Sequence, residues 1–322
     1  MSALPVYPVV PVAIFLADIH LSHTPPVCRQ SEPSWYEAQK RVLLQVRNLA
    51  DTLRVPVICC GDIFDIPISP PELVNFALEY LPTLYSVAGN HDLPNHSYAQ
   101  IHRSSFHTLV LSGRVIPLHF GQPVEIPGAH PLRLWGFPWR QDPEPLTGGV
   151  SLLQEVAVVH RYTWTRTAGY STGYKDAPES HSLDALRSMV QGYNAVFVGD
   201  NHIPFAARKK VPPVVNCGSL MRLAVDQKDH EPRVWIYHSD DSIEPHYLDC
   251  SRDVLTEDHR KPKKVLGGEI DLCLETLKRA PDAPPSYQEA VRQRLRIQPE
   301  DPRVEEILLT AIDRGSPRSG SR

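Results

Sequence analysis

Apolar runs along the chain alternate with stretches in which apolar residues recur every three or four positions. VAIFLADIH (12–20) is continuously apolar and then sets down polar groups, which predicts a buried strand with a polar tip. WYEAQKRVLLQVRNLADTL (35–53) has a helical period, and VPVICCGD (55–62) reads as a second strand. PPELVNFALEYL (70–81) predicts a helix opened by prolines, and LYSVAGNHD (84–92) a third strand. The order is β-α-β-α-β.

A helix is expected over 97–111, followed by the shorter β-type runs GRVIPL, LRLWGFPW and QEVAVVH. SLDALRSMVQG (182–192) predicts a helix leading into NAVFVGDNH, with VVNCG and PRVWIYHS as late strands. Parallel-type units first and antiparallel-type runs later predict two sheets packed face to face with helices outside. That is an α/β fold, a four-layer αββα sandwich, expected over residues 1–250. Residues 251–322 are charged and broken by prolines, so they read as a linker and a short helical C-terminal extension with a disordered tail.

Composition narrows the function classes. Hydrophobic content of 42% and charged content of 22% suit a soluble globular protein. The net charge of −4 gives no global basic footprint, so a polyanionic partner would need local attraction. The apolar N-terminal run contains Pro11 and is too short for a bilayer, which argues against a membrane span or signal peptide. Six scattered cysteines without CxxC spacing read as reduced thiols in a cytoplasmic protein.

The tips of the strands carry the candidate chemistry. In open sheets ligands gather beyond the carboxyl ends of the strands. Reading those ends gives Asp18 and His20, then Asp62, then Asn90 and His91, then His160, then Asp200 and His202. One polar strand end is an ordinary loop; five are a constellation. Asp18 and His20 are two apart, which in extended backbone puts both side chains on one face. Gly61, Gly89 and Gly199 stand where backbone must pass close to that cluster.

The ordered motifs DIH, GDIFD (61–65), GNHD (89–92), VVH and a late D-N-H (200–202) resemble the calcineurin-like metallophosphoesterase family over roughly residues 12–220. The resemblance implies the metallophosphoesterase sandwich and two divalent ions, Mn²⁺ with Mg²⁺ as the alternative. It assigns one ion to Asp18, His20, Asp62 and His202, and the other to Asp62, Asn90, His160 and Asp200, with Asp62 shared. It makes His91 the general acid and Asp65 the group that orients its ring. The family has His where this chain has Asp200, an exchange of nitrogen for oxygen that favours harder ions.

The GNHDLP and NCGSLMR stretches look most like the SbcD branch, which implies a DNA exonuclease or endonuclease and an SbcC-like ATPase partner. The alternatives are a small-molecule phosphodiesterase or phosphatase of the same fold, or a non-catalytic scaffold. Arg161 and Tyr162, beside His160, are candidate substrate contacts.

Overall fold

The computed structural model describes residues 8–147, 151–165 and 178–256. All of them lie in one unit, Met1–His259, while Arg260–Arg322 forms a second unit outside the described residues. The predicted linker is therefore described only as far as Thr256, and the helices and tail expected beyond it lie outside the described residues.

Two six-stranded sheets form the centre. The first has the order β12-β11-β1-β2-β3-β4, built from β1 (Pro11–Leu16), β2 (Val57–Cys59), β3 (Leu84–Ser86), β4 (Val115–Pro117), β11 (Arg233–His238) and β12 (Ile243–Tyr247). Strands β1 to β4 run parallel, and β11 and β12 close one edge antiparallel. The second has the order β5-β6-β7-β8-β10-β9, built from β5 (Val124–Ile126), β6 (Leu132–Phe137), β7 (Gln154–His160), β8 (Ala195–Gly199), β9 (Phe205–Ala207) and β10 (Val214–Asn216). Its four central strands are parallel, with an antiparallel strand on each edge.

Period-two side-chain alternation explains the layering. Ala13, Phe15 and Ala17 of the β1 segment face Val156, Val158, Ala195 and Phe197 of the other sheet. The Phe15 and Phe197 rings stack with centroids 3.6 Å apart, and Tyr237 meets both edge-on. Ile14 and Leu16 point the opposite way, onto α1 (Trp35–Leu53), α2 (Pro71–Tyr80) and α3 (Ser105–Leu111). On the outer face of the second sheet, Ala157, Val159, Val196 and Val198 pack with Leu186 of α4 (Leu183–Met189). The result is the expected αββα order, with a thin fourth layer among the described residues.

Helix α1 forms for local reasons. Ser34 caps its N-terminus by accepting from the Glu37 amide at 3.3 Å, and left-handed Arg54 ends it. Trp35, Ala38, Gln39, Val42, Leu43, Val46 and Ala50 make the buried stripe, at the three-to-four spacing read from the sequence.

Several expectations change in detail. The 97–111 helix is two pieces, a 3-10 segment Tyr98–Arg103 and then α3, because Ser104 is extended and caps α3 by accepting from the His107 amide. The 182–192 helix stops at Met189, with Ser182 as its cap. The strands β1, β2 and β3 end at Leu16, Cys59 and Ser86, short of the polar groups Asp18, Asp62 and Asn90. The chain continues to pair beyond them through single bridges, Leu21 with Phe64 and Ala17 with Ser219, the second of which joins the two sheets at their tips.

Candidate metal centre

The loops that leave β1, β2, β3, β7 and β8 converge at the carboxyl edge of both sheets. Asp18, His20, Asp62 and Asp200 all have positive φ, at 51°, 47°, 56° and 84°. Aspartate and histidine are among the residues that tolerate this region best. Asp18 and His20 do not share a face through strand alternation, as their spacing suggests: both lie past the end of β1 in left-handed backbone, and the loop brings them together. His91 likewise sits in a turn.

The cluster has two sides that share Asp62. On one, the Nε2 atoms of His20 and His202 face each other at 3.0 Å, and His20 Nε2 lies 3.6 Å from Asp62 Oδ2. Ligand atoms of Asp18, His20 and His202 all fall within 4.8 Å of one another. On the other, His160 Nε2 lies 2.8 Å from Asn90 Oδ1, 3.5 Å from Asp62 Oδ2 and 4.0 Å from Asp200 Oδ1. Asp18, Asp62 and His160 form a second close group, and His20, Asp62 and His91 a third. The structure therefore brings all seven predicted ligands to one place, with Asp62 between the two sides.

The supporting shell fixes their orientation. His160 Nδ1 donates to the Cys60 carbonyl at 2.6 Å, so Nε2 is the nitrogen that faces the oxygens and, once its proton is displaced, offers a lone pair to a cation. The Asp200 amide donates to both oxygens of Asp18, at 3.0 and 3.1 Å. A side chain on Gly89 would run into the Asp62 carboxylate, and one on Gly61 into the His160 ring. Both glycines are there for close approach.

Asp92, which sequence reasoning missed, is the organiser of the second loop. It is fully buried and accepts from the amides of Asp62, Ile63, Phe64 and Gly89, at 3.0 to 3.2 Å. The GNHD motif was its only signal, and there it reads as the last residue of a loop. Asp65 is also placed differently from expectation. Its backbone carbonyl, not its carboxylate, holds His91 Nδ1 at 2.7 Å, and its carboxylate lies 3.5 Å from His20 Nδ1. Arg161 pairs with Asp142 and donates to the Ser180 carbonyl at 2.7 Å, while the Tyr162 ring lies 6.5 Å from that of His181.

Electrostatics show what the cluster lacks. Burial raises Asp18 and Asp92 to about 7 and also raises Asp200. Burial opposes a charge on His160, yet the carboxylates of Asp62, Asp200 and Asp18 outweigh it and lift the ring to about 9. Burial also opposes ionisation of Asp62, but His160, His20 and His91 hold it below its usual range. Burial drops His202 to about 3, so its ring stays neutral with a lone pair to offer. A carboxylate-rich pocket that keeps a proton on an imidazole into alkaline pH is short of positive charge. Nitrogen lone pairs and carboxylate oxygens with so few hydrogens between them fit divalent cations.

Two sheets back to back, with carboxylates and imidazoles at their shared tips, define a sandwich of the metallophosphoesterase type. The model of the calcineurin-like phosphoesterase family matches residues 12–204, and the chain belongs to that family. No curated protein matches it. Among solved structures, TT1561 of Thermus thermophilus is 12% identical with a TM-score of 0.43, the match covering 74% of this chain and 100% of that one. A 5′-nucleotidase candidate from Staphylococcus aureus is 13% identical with a TM-score of 0.42, covering 80% of this chain and 56% of that one. The phosphopantetheinyl hydrolase of Mycobacterium tuberculosis is 12% identical with a TM-score of 0.37, covering 75% and 98%. Likenesses this distant say nothing of the substrate.

Proposed function

We propose that the chain is a phosphodiester hydrolase working with two divalent cations, Mn²⁺ or Mg²⁺, and that DNA is its substrate, as for SbcD-type nucleases. Asp18, His20, Asp62 and His202 would hold one cation, and Asp62, Asn90, His160 and Asp200 the other. When bound, the pair would neutralise the phosphate and acidify the attacking water. The observation that supports this reading is the convergence of those seven side chains around one shared carboxylate.

His91 is the proton donor in this reading. Its Nδ1 is held by the Asp65 carbonyl, so in the charged ring Nε2–H is the proton free to pass to the leaving oxygen. The ring sits half-buried at the edge of the cluster, edge-on to His20 with centroids 4.6 Å apart. Its own amide donates to Asp62 Oδ1 at 2.9 Å, which couples the position of the donor to the shared carboxylate.

A second reading, a small phosphodiester or phosphomonoester, is favoured by the pairing of Arg161 with Asp142 and by the net charge of −4. An SbcC-like ATPase partner would engage residues beyond 256, outside the described residues. A cytoplasmic location is supported by Cys59, Cys60, Cys217 and Cys250, none of which is in a disulfide among the described residues. No described helix is long and apolar enough to cross a membrane.

The deciding experiment incubates the purified protein and Mn²⁺ with linear DNA and, separately, with bis-p-nitrophenyl phosphate. Cleavage of both supports the nuclease; hydrolysis of the small ester alone supports the second reading. Inactivity on every ester, with no metal retained in elemental analysis, overturns both.

A further inference from the structure

We propose that the cavity lined by Tyr98, His119, Phe120, Gln122, Pro138 and Gln141 is a nucleobase subsite, and that Arg140, next to Gln141 in the chain, meets the phosphate of the same nucleotide. The proposal rests on the phosphoester reading above and names the substrate class as a nucleotidyl ester.

Position is the first argument. The loop after β6 is tied to the candidate centre at both ends. The Trp139 amide donates to the carbonyl of Ala88, two residues before Asn90, and Asp142 pairs with Arg161, the neighbour of His160. Pro138 and Gln141, which line the cavity, therefore bracket a segment lying along the Asn90–His160 side of the cluster.

The lining chemistry is the second. The cavity holds about 350 Å³, a volume in the range of small-ligand sites. Tyr98 and Phe120 are 37% and 42% exposed, so neither ring is spent in the core. Each is nonetheless held: Tyr98 Oη lies 2.9 Å from His119 Nδ1, and Phe120 meets Phe137 edge-on at 5.9 Å. Fixed, exposed rings are stacking platforms for a base. The amides of Gln122 and Gln141 supply both donors and acceptors for a base edge. An inorganic anion alone would gain nothing from the aromatic rings.

The neighbouring arginine is the third. Arg140 is exposed, sits 4.1 Å over the Trp139 ring and has no carboxylate in ion-pair reach among the described residues. His96 packs against the same indole at 5.4 Å. Asn95, His96 and Arg140 are all left-handed, with φ of 53°, 51° and 66°. Such backbone is retained where the surroundings over-determine it, and His96 and Arg140 both pack on Trp139, the neighbour of the lining residue Pro138.

The test measures kcat/KM for thymidine 5′-(p-nitrophenyl phosphate) and for methyl p-nitrophenyl phosphate, which share a leaving group and differ only in the nucleoside. The nucleoside ester is expected to be favoured on the order of tenfold, mainly through KM. Phe120→Ala should bring the ratio toward one and Phe120→Tyr should restore it, whereas Arg140→Ala should lower kcat/KM for both esters. Equal constants for the two esters in the unaltered protein, or a ratio untouched by Phe120→Ala, would overturn the proposal. Binding of thymidine monophosphate, followed by titration calorimetry, gives a readout independent of turnover. Nucleotide binding that weakens in Phe120→Ala without hydrolysis of any ester sinks the enzymatic reading and keeps the subsite; hydrolysis without such binding does the reverse. A single-stranded oligonucleotide run beside the mononucleotide ester tells whether the base arrives on a polymer or on a small molecule.

Discussion

The His20–His202 side of the cluster and the Asn90–His160–Asp200 side share Asp62 but are built differently. On the first, Asp18 and His20 are buried and the two imidazoles face each other at 3.0 Å. On the second, only His160 is fully buried, and the Asp200 carboxylate is 23% exposed and 4.0 Å from the His160 ring. Yet the backbone at Asp200 is anchored through its amide, to the carboxylate of Asp18. The tip of β8 is thus positioned from the opposite side of the cluster, which leaves the side chain at 200 free to change its chemistry without moving the chain. One side is fixed by its ligands, the other by its neighbour.

The largest effect should come from removing what the two sides share. Asp62→Asn should cut turnover on the order of 10³-fold or more and leave less than one ion per chain by elemental analysis. Next in size is His91→Asn, expected to lower kcat by about 10²–10⁴-fold while metal content stays at the unaltered level, since the residue is assigned to proton transfer and not to ligation. Metals lost together with activity in that variant would move His91 into the first side of the cluster.

Asp92→Asn should destabilise the fold by about 1–3 kcal/mol in chemical denaturation, because the new amide would turn a donor toward one pair of backbone amides that now share a carboxylate. Smaller still is the effect of pH on the metal-free protein. The folded pKa of His160 lies above its unfolded value, so its contribution is fully present below about 6.5 and is lost as pH rises through about 9. Melting temperature without metal should fall by a few degrees between pH 7 and 9, and saturating Mn²⁺ should flatten that slope by taking the proton's place. The smallest effect is on the second side alone: Asp200→His should keep activity within about tenfold and shift preference from Mn²⁺ or Mg²⁺ toward zinc in a competition assay.

Much of this was legible in the order of residues along the chain. The α1 stripe, the core strands and the seven candidate ligands all lie in or just after apolar runs, and burial imposes a period that anyone can count. What escaped was set by contacts between distant segments. Asp92 looks like a loop residue until the Asp62–Phe64 amides are folded over it. The role of the Asp65 carbonyl belongs to the backbone, which sequence does not label. Strands β5, β9 and β12 are short edge elements with exposed positions, so their pattern carries little apolar signal. The 97–111 stretch has helical spacing throughout, and a single extended serine interrupts it.

The left-handed backbone at Asp18, His20, Asp62 and Asp200 reaches beyond this one sequence. It acts as a filter on heredity: a branched or bulky newcomer at any of the four would be penalised by its own main chain before cation affinity came into play. Aspartate, asparagine, histidine and glycine pass that filter. Descendants of this chain can therefore exchange oxygen for nitrogen at these points cheaply, but have few viable steps away from a polar cluster altogether.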